Sequence, residues 1–364
     1  MTATENPALE QHIEEFADAL FGAALGTTEL FVASLGRRLG LYAALRGEDG
    51  ATSTELAARA GVDERYVREW LEHQAVAGVV TVDDPARPAA ERRYVLPEAH
   101  AVALLDEEHP AYVGALADIP PILARTIEDV TAAFRSGAGV PFAAYGLHDM
   151  QAGFTRPMFA NALTAEWLPA LADVHRRLEG GEALRIADFG CGEGWAGIYL
   201  AEAYPNVTVD GFDLDDTSIV RARGHAAARG VADRVRFEVR DIADPAITGP
   251  YDLAMACEVI HDLADPVAAL ATMRRATGAG GAVLIIDENA APAFDASGDP
   301  IERLLYGFSV LHCLPAGRDA ESSAATGTVM RPDVFERYAR DAGFTSVEHL
   351  PIDHPMFRFY RAVS

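Results

Sequence analysis

The chain has 364 residues, a formal charge of −25 and no lysine among its basic residues. The length favours two domains over a single core, the charge disfavours nucleic acid as a partner, and the missing lysine excludes Schiff-base, Walker and lysine-base chemistry. No long uncharged apolar span or signal peptide stands out, so no membrane helix is expected, and Cys191, Cys257 and Cys313 lack paired spacing, as in a reduced, cytoplasmic protein.

Residues 8–46 predict two helices, the second over ELFVASLGRRLGLYAAL, where apolar residues recur at helical spacing. Thr52 and Ser53 predict a capped start for TELAARA, Gly61 breaks the pattern, and Asp63 caps ERYVREWLEHQAVAGVV. A hairpin-like stretch from Val79 to Leu96 completes a winged helix. A DNA-reading helix would be basic; this one mixes Glu64, Arg65, Arg68, Glu69, Glu72 and His73, which points to association instead. Residues 97–180 predict helices, broken at Pro120–Pro121 and at SGAGVPF. Phe142, Tyr145, Met150, Phe154, Met158, Phe159 and Trp167 gather near the second break, most as core and a few as a lid. His148 lies close enough to that lid to reach a substrate. Arg156, a lone charge among apolar neighbours, suits either a two-pronged bond to a substrate carboxylate or a surface ion pair.

From Ala183 onward the strands ALRIADF, VTVDGFD, RVRFEVR, YDLAMAC and GAVLIIDE alternate with helices, and two further strands close the chain. That order predicts an α/β fold, a parallel sheet with helices on both faces and an antiparallel edge hairpin. The expected division is a winged-helix domain over 1–100, a helical linker or lid over 101–180 and the α/β domain over 181–364.

The organising stretch is LRIADFGCGEGWAG, residues 184–197. A strand ends in Asp188, a turn carries Gly190, Gly192 and Gly194, and a helix follows, a geometry that brings backbone N–H groups to a ligand. Trp195 stands where a nicotinamide fingerprint wants a third glycine. Ligands of open parallel sheets sit at the carboxyl ends of strands. Asp213 and Leu214 follow the second strand, Asp241 and Ile242 the third, and Cys257 and Glu258 the fourth.

This pattern resembles class I S-adenosylmethionine (SAM) methyltransferases. The resemblance implies a Rossmann-like seven-stranded sheet with SAM as cofactor. Asp188, Gly190, Gly192 and Cys257 would meet its methionine part, Asp213 and Leu214 its ribose, and Asp241 and Ile242 its adenine. The N-terminal module resembles the dimerisation domain of small-molecule O- and C-methyltransferases, which implies a homodimer.

Asp265 and Pro266 open the helix after the fourth strand, leaving His261 and Asp262 in the loop before it. Plant-type O-methyltransferases carry a similar His-Asp pair, whose histidine removes a phenolic proton. HDLADPVAAL, SVLHCLP, GTVMRP and DAGF together resemble a bacterial family of winged-helix methyltransferases. Some of its members are α-keto acid C-methyltransferases with non-haem iron. That resemblance implies His261, Asp262 and His312 as ligands of a divalent metal, iron or zinc, a facial triad with open positions. Such an ion polarises a keto acid and eases loss of the neighbouring C–H proton.

The resulting expectation is a homodimeric, cytoplasmic methyltransferase of a small-molecule substrate, with His261, Asp262 and Arg156 at the reactive end and no nucleic-acid or membrane partner. Metal-assisted C-methylation leads. Metal-free O- or N-methylation with His261 as general base stands beside it. A SAM-responsive DNA-binding regulator and a SAM-fold protein with a non-methylating activity remain open.

Overall fold

A computed structural model describes residues 6–47 and 49–364. They pack as two units, one ending at Ile122 and one running Leu123–Ser364, so the dividing point falls inside the segment expected as a helical linker.

In the first unit, one helix runs unbroken over Pro7–Arg38, not the two expected; the break comes at Leu39 and Gly40, ahead of a short helix Leu41–Leu45. Gly22 and Gly26 lie inside it, and a glycine costs a helix only about 1 kcal/mol. Gly40 does end it, with φ +67 at a turn the other residues could not take cheaply. By length and composition this helix is long and apolar enough to cross a membrane, a test that core helices of soluble proteins also pass. Its apolar residues Leu9, Ile13, Phe16 and Leu20 form a stripe at helical spacing and are exposed in this unit.

The winged helix is as expected. Thr52 and Glu55 form a reciprocal capping box at the start of helix Ser53–Ala60, and Asp63 caps helix Glu64–Val76. Strands β1 (Thr81–Val82) and β2 (Tyr94–Val95) pair antiparallel as the wing. Leu41, Tyr42, Leu45, Leu56, Trp70, Leu71 and Tyr94 make the core, with Tyr42 edge-on to Trp70 at 5.0 Å.

Pro120 and Pro121 do not break the chain. They occupy the first turn of helix Ile119–Ser136, where the missing N–H is no loss. The break at SGAGVPF does occur, before the short helix Phe142–Tyr145.

The second unit is built on seven strands: β3 (Arg185–Phe189), β4 (Thr208–Asp213), β5 (Val235–Val239), β6 (Tyr251–Cys257), β7 (Thr277–Glu288), β8 (Ser346–His349) and β9 (Phe357–Val363). Their order is β5-β4-β3-β6-β7-β9-β8. All neighbours through β7 are parallel, and β9 runs antiparallel to both β7 and β8. The strands are near-continuous apolar runs, as a sheet covered on both faces demands. One face packs Trp195, Ile198 and Leu200 with Trp167 and Phe359, the other Phe189, Leu270, Met273, Phe335 and Tyr360. The chain reverses its direction of strand addition between β3 and β6. That is the switch point where a crevice opens at the carboxyl ends.

Candidate active site

A cavity of about 480 Å³ lies at that crevice. All eight residues expected at the cofactor line it: Asp188, Gly190, Gly192, Asp213, Leu214, Asp241, Ile242 and Cys257. The turn after β3 holds them by close approach. Gly190 has φ +75, and a Cβ there would lie 2.4 Å from Val259 Cγ2. The Gly192 N–H donates to Asp213 Oδ2 at 2.8 Å, and the Asp215 N–H donates to Asp213 Oδ1 at 2.9 Å.

Asp188 is buried, and Asp213 nearby is half-buried. Burial, and then the charge of Asp213, pushes the Asp188 carboxyl up to about 7. Its Oδ2 has no hydrogen-bond partner. Burial also raises Asp213, against the backbone N–H groups that pull it down. Carboxylates of Asp241, Glu258 and Asp262 also face the cavity, and among the described residues no arginine lines it.

Pro141, Phe142, Gln151, Thr155 and Phe159 supply the opposite wall, so two of the aromatics expected as a lid do face the cavity. His148 also lines it, but its Nε2 is held 2.9 Å from Asp215 Oδ2. Arg156 is not among the lining residues. Its guanidinium lies 3.9 Å from the centroid of Trp195, and its Nε is 3.4 Å from the Tyr199 hydroxyl. The helix His148–Met158 turns Thr155 toward the cavity and Arg156 toward that neighbouring helix.

The reactive end gathers three segments: the turn Ile260–Asp262, the end of β7 and the π-helical turn Ser309–Cys313. His261 Nδ1 lies 2.6 Å from Asp287 Oδ1 and 2.8 Å from Glu288 Oε2, and its Nε2 lies 3.1 Å from Asp262 Oδ1. Burial alone would lower the His261 pKa, but Asp262, Glu288 and Asp287 outweigh it and hold it well above the ordinary histidine value. Burial would raise Asp262, yet the charge on His261 brings it down to about 2. Glu258, lining the cavity with φ +56, is pushed up to about 8 by burial. A non-glycine residue in that conformation stores strain beside the site.

His312 departs from the expected triad. Ligand atoms of His261, Asp262 and Cys313 lie within 4.8 Å of one another, and His312 is in no such group among the described residues. Its Nδ1 sits 3.3 Å from Cys313 Sγ, and its Nε2 is buried without a partner. The π turn is wider than an α turn and buries both consecutive side chains, with the thiol reaching the His-Asp pair. Asp287, Glu288 and Cys313 were not singled out by sequence. The signal for the first two was present, since they end a strand as Asp213 does.

Residues 27–105 match the family described as the Rv2258c-like winged HTH domain, and residues 187–283 match a family described as methyltransferase domain. Ajmaline N-methyltransferase of Rauvolfia serpentina is 30 % identical over 102 residues, covering 28 % of this chain and 35 % of that protein. The chain spans less than half the length of the curated relatives it matches. Human N-acetylserotonin methyltransferase in complex with SAM superposes with a TM-score of 0.65 at 17 % identity, over 100 % of this chain and 99 % of that one. Mitomycin 7-O-methyltransferase superposes with a TM-score of 0.66 at 20 % identity, over 99 % and 100 %. These likenesses establish the fold.

Proposed function

Starting from a chain that joins a winged HTH domain to a methyltransferase domain of the class I fold, we propose that the protein is a SAM-dependent methyltransferase of a small molecule. The observation that carries this reading is the acidic cavity. Buried Asp188 and half-buried Asp213 lie at the switch point with raised pKa values, and Asp188 Oδ2 has no partner. A cofactor bearing an ammonium and a sulfonium is the cation such a pair fits. Asp188, Gly190, Gly192 and Cys257 would hold its methionine part, Asp213 and Leu214 its ribose, and Asp241 and Ile242 its adenine. SAM supplies an electrophilic methyl group when bound.

At the reactive end we infer C-methylation beside the keto group of an α-keto acid, with a divalent cation present. The donor set supports this. Glu258, Asp262, Asp287 and Glu288 surround one imidazole, with Asp262 Oδ1 and Glu288 Oε2 at 3.1 and 2.8 Å from its two nitrogens, and His312 Nε2 is buried without a hydrogen-bond partner. Buried charges of one sign cost several kcal/mol unless offset. A cation held by His261 and Asp262, with the 312–313 turn beside them, offsets them. When bound it supplies Lewis acidity for the substrate's carboxylate and keto oxygens. The absence of arginine from the lining among the described residues points the same way, since a substrate carboxylate meets no guanidinium there. Asp287 holds the His261 ring in place, and Phe142 and Phe159 exclude water from the cavity.

Metal-free O-methylation is the second reading. The Asp287–His261 contact favours it, because a carboxylate on Nδ1 orients an imidazole for use as a base. The test offers SAM with α-keto acids and with phenols, with divalent ions or with chelator, and locates the methyl group by NMR. Expected is a C-methyl keto acid formed only when ions are present. Full-rate phenol methylation in chelator would establish the second reading. Absence of SAM uptake by calorimetry would sink both.

We also infer a homodimer through the stripe on helix Pro7–Arg38, to be tested by sedimentation. No nucleic-acid role is proposed, because Arg65 and Arg68 are each paired to a carboxylate one turn away.

A further inference from the structure

We propose that Cys313 is itself a ligand of the divalent cation, through a sulfur bond that completes the set begun by His261 and Asp262. The proposal rests on the cation-dependent reading above and specifies the donor atoms.

Two groups of side chains compete for such an ion: His261 with Asp262 and Cys313, and His261 with Asp287 and Glu288. Hydrogen bonding separates them. Asp287 is already occupied as an acceptor: Oδ1 takes the Glu288 N–H at 3.0 Å and faces His261 Nδ1 at 2.6 Å, and Oδ2 takes the Ile260 N–H at 3.2 Å. A histidine bound to a metal through one nitrogen characteristically gives its other N–H to a carboxylate. Asp287 is that carboxylate, which leaves His261 Nε2 as the ligand atom. Nε2 faces Asp262 Oδ1 at 3.1 Å, an oxygen that is buried and has no aligned donor. Cys313 Sγ lies within the same 4.8 Å cluster.

The side on which the set opens is also right. Asp262 lines the cavity beside Glu258, so open positions on the ion would face the substrate. Neither His261 nor Cys313 is among the lining residues, and both close the ion from behind. His312 is adjacent to Sγ, with its Nδ1 at 3.3 Å. On binding, the metal–sulfur bond replaces the S–H bond, and the proton leaves to solvent. A thiolate beside imidazole and carboxylate shifts the preference toward zinc or another thiophilic ion.

The full chain, stripped of metal, is titrated with cobalt(II) and followed by absorption, with bound cobalt counted by elemental analysis. Expected is one bound cobalt with an intense near-ultraviolet sulfur-to-cobalt band. The band should be absent in Cys313→Ser while cobalt still binds, and present in His312→Ala. Cobalt bound by the unmodified chain without the band would overturn the thiolate ligand and leave the ion site standing. Failure of the unmodified chain to bind cobalt would overturn both this proposal and the cation-dependent reading. If Cys313→Ser does not fold, Cys313→Ala is read instead, and loss of the band in Cys191→Ala or Cys257→Ala, two cysteines that line the cavity, would overturn the assignment to Cys313.

Discussion

The two ends of the cavity are built by different means. At the cofactor end, each of β3, β4, β5 and β6 delivers one or two residues from its carboxyl end, and much of the work is done by backbone. Gly190 lets the turn pass against Val259, and amides of residues 192 and 215 hold Asp213 in place. At the reactive end, side chains converge from three separate segments. They set the carboxyl groups of Glu258, Asp262, Asp287 and Glu288 around the His261 imidazole and leave His312 Nε2 without a partner. The first end is preformed by the fold. The second is built from charged side chains that are one another's partners. Substitutions at the two ends should therefore separate into effects on cofactor affinity and effects on turnover.

The largest expected effect is at Asp262. Asp262→Asn should lower turnover by roughly 10³-fold, the scale of losing a group that acts on the reacting atoms. SAM affinity by calorimetry should stay within about twofold of the parent, because no cofactor atom is assigned to that side chain. A parallel loss of SAM binding would erase the distinction between the ends. Asp287→Asn should come next, with the affinity for divalent ion falling about 10–100-fold, because the ring loses the carboxylate that fixes it. Unchanged ion affinity there would place the ion elsewhere.

The cofactor end should respond to pH instead. Asp188 has its pKa raised from 3.8 to about 7, so its contribution to the stability of the free protein is present below the lower value. That contribution is lost as pH rises through about 7. A cationic cofactor prefers the ionised form. SAM affinity should therefore rise by up to about tenfold per pH unit as pH approaches 7, and level off above it. In Asp188→Asn the slope should vanish. A parent protein with flat affinity between pH 5.5 and 8, about the range that brackets the shift, would show that the orphaned oxygen does not face the cofactor.

This contrast also explains how much could be read from residue order. Asp188, Gly190, Asp213 and Asp241 were legible because each sits where a parallel strand must end, and strand ends follow from apolar runs. The capping box at Thr52 and Glu55 was legible for a similar reason, being a local hydrogen-bond pattern. The long first helix was misjudged because its glycines weaken a helix without stopping it. The place of Cys313 beside His261 and Asp262 was not legible. A π turn sets which of two consecutive side chains reaches His261, and no local propensity encodes that turn. The side of the helix that Arg156 occupies was not legible, because a lone charge in an apolar helix does not announce its face.

Arg156 gives the smallest effect and a sharp discrimination. A side chain clamping a substrate carboxylate makes two charge-assisted bonds of about 1.5–3 kcal/mol each, so its loss would raise KM by two orders of magnitude or more. The observed guanidinium instead lies on one face of Trp195, whose other face stacks on His225 with ring centroids 4.4 Å apart. Trp195 lines the cavity and Arg156 does not. Losing a cation–π contact costs about 0.5–2 kcal/mol. Arg156→Leu should therefore lower the thermal midpoint by a few degrees and leave the KM for a keto acid within about threefold. Because Leu keeps much of the apolar contact and removes the charge, a hundredfold rise in KM with an unchanged midpoint would return Arg156 to the substrate. The carboxylate would then have a protein cation after all, and the electrostatic case for an ion at the reactive end would rest on the orphaned donors alone.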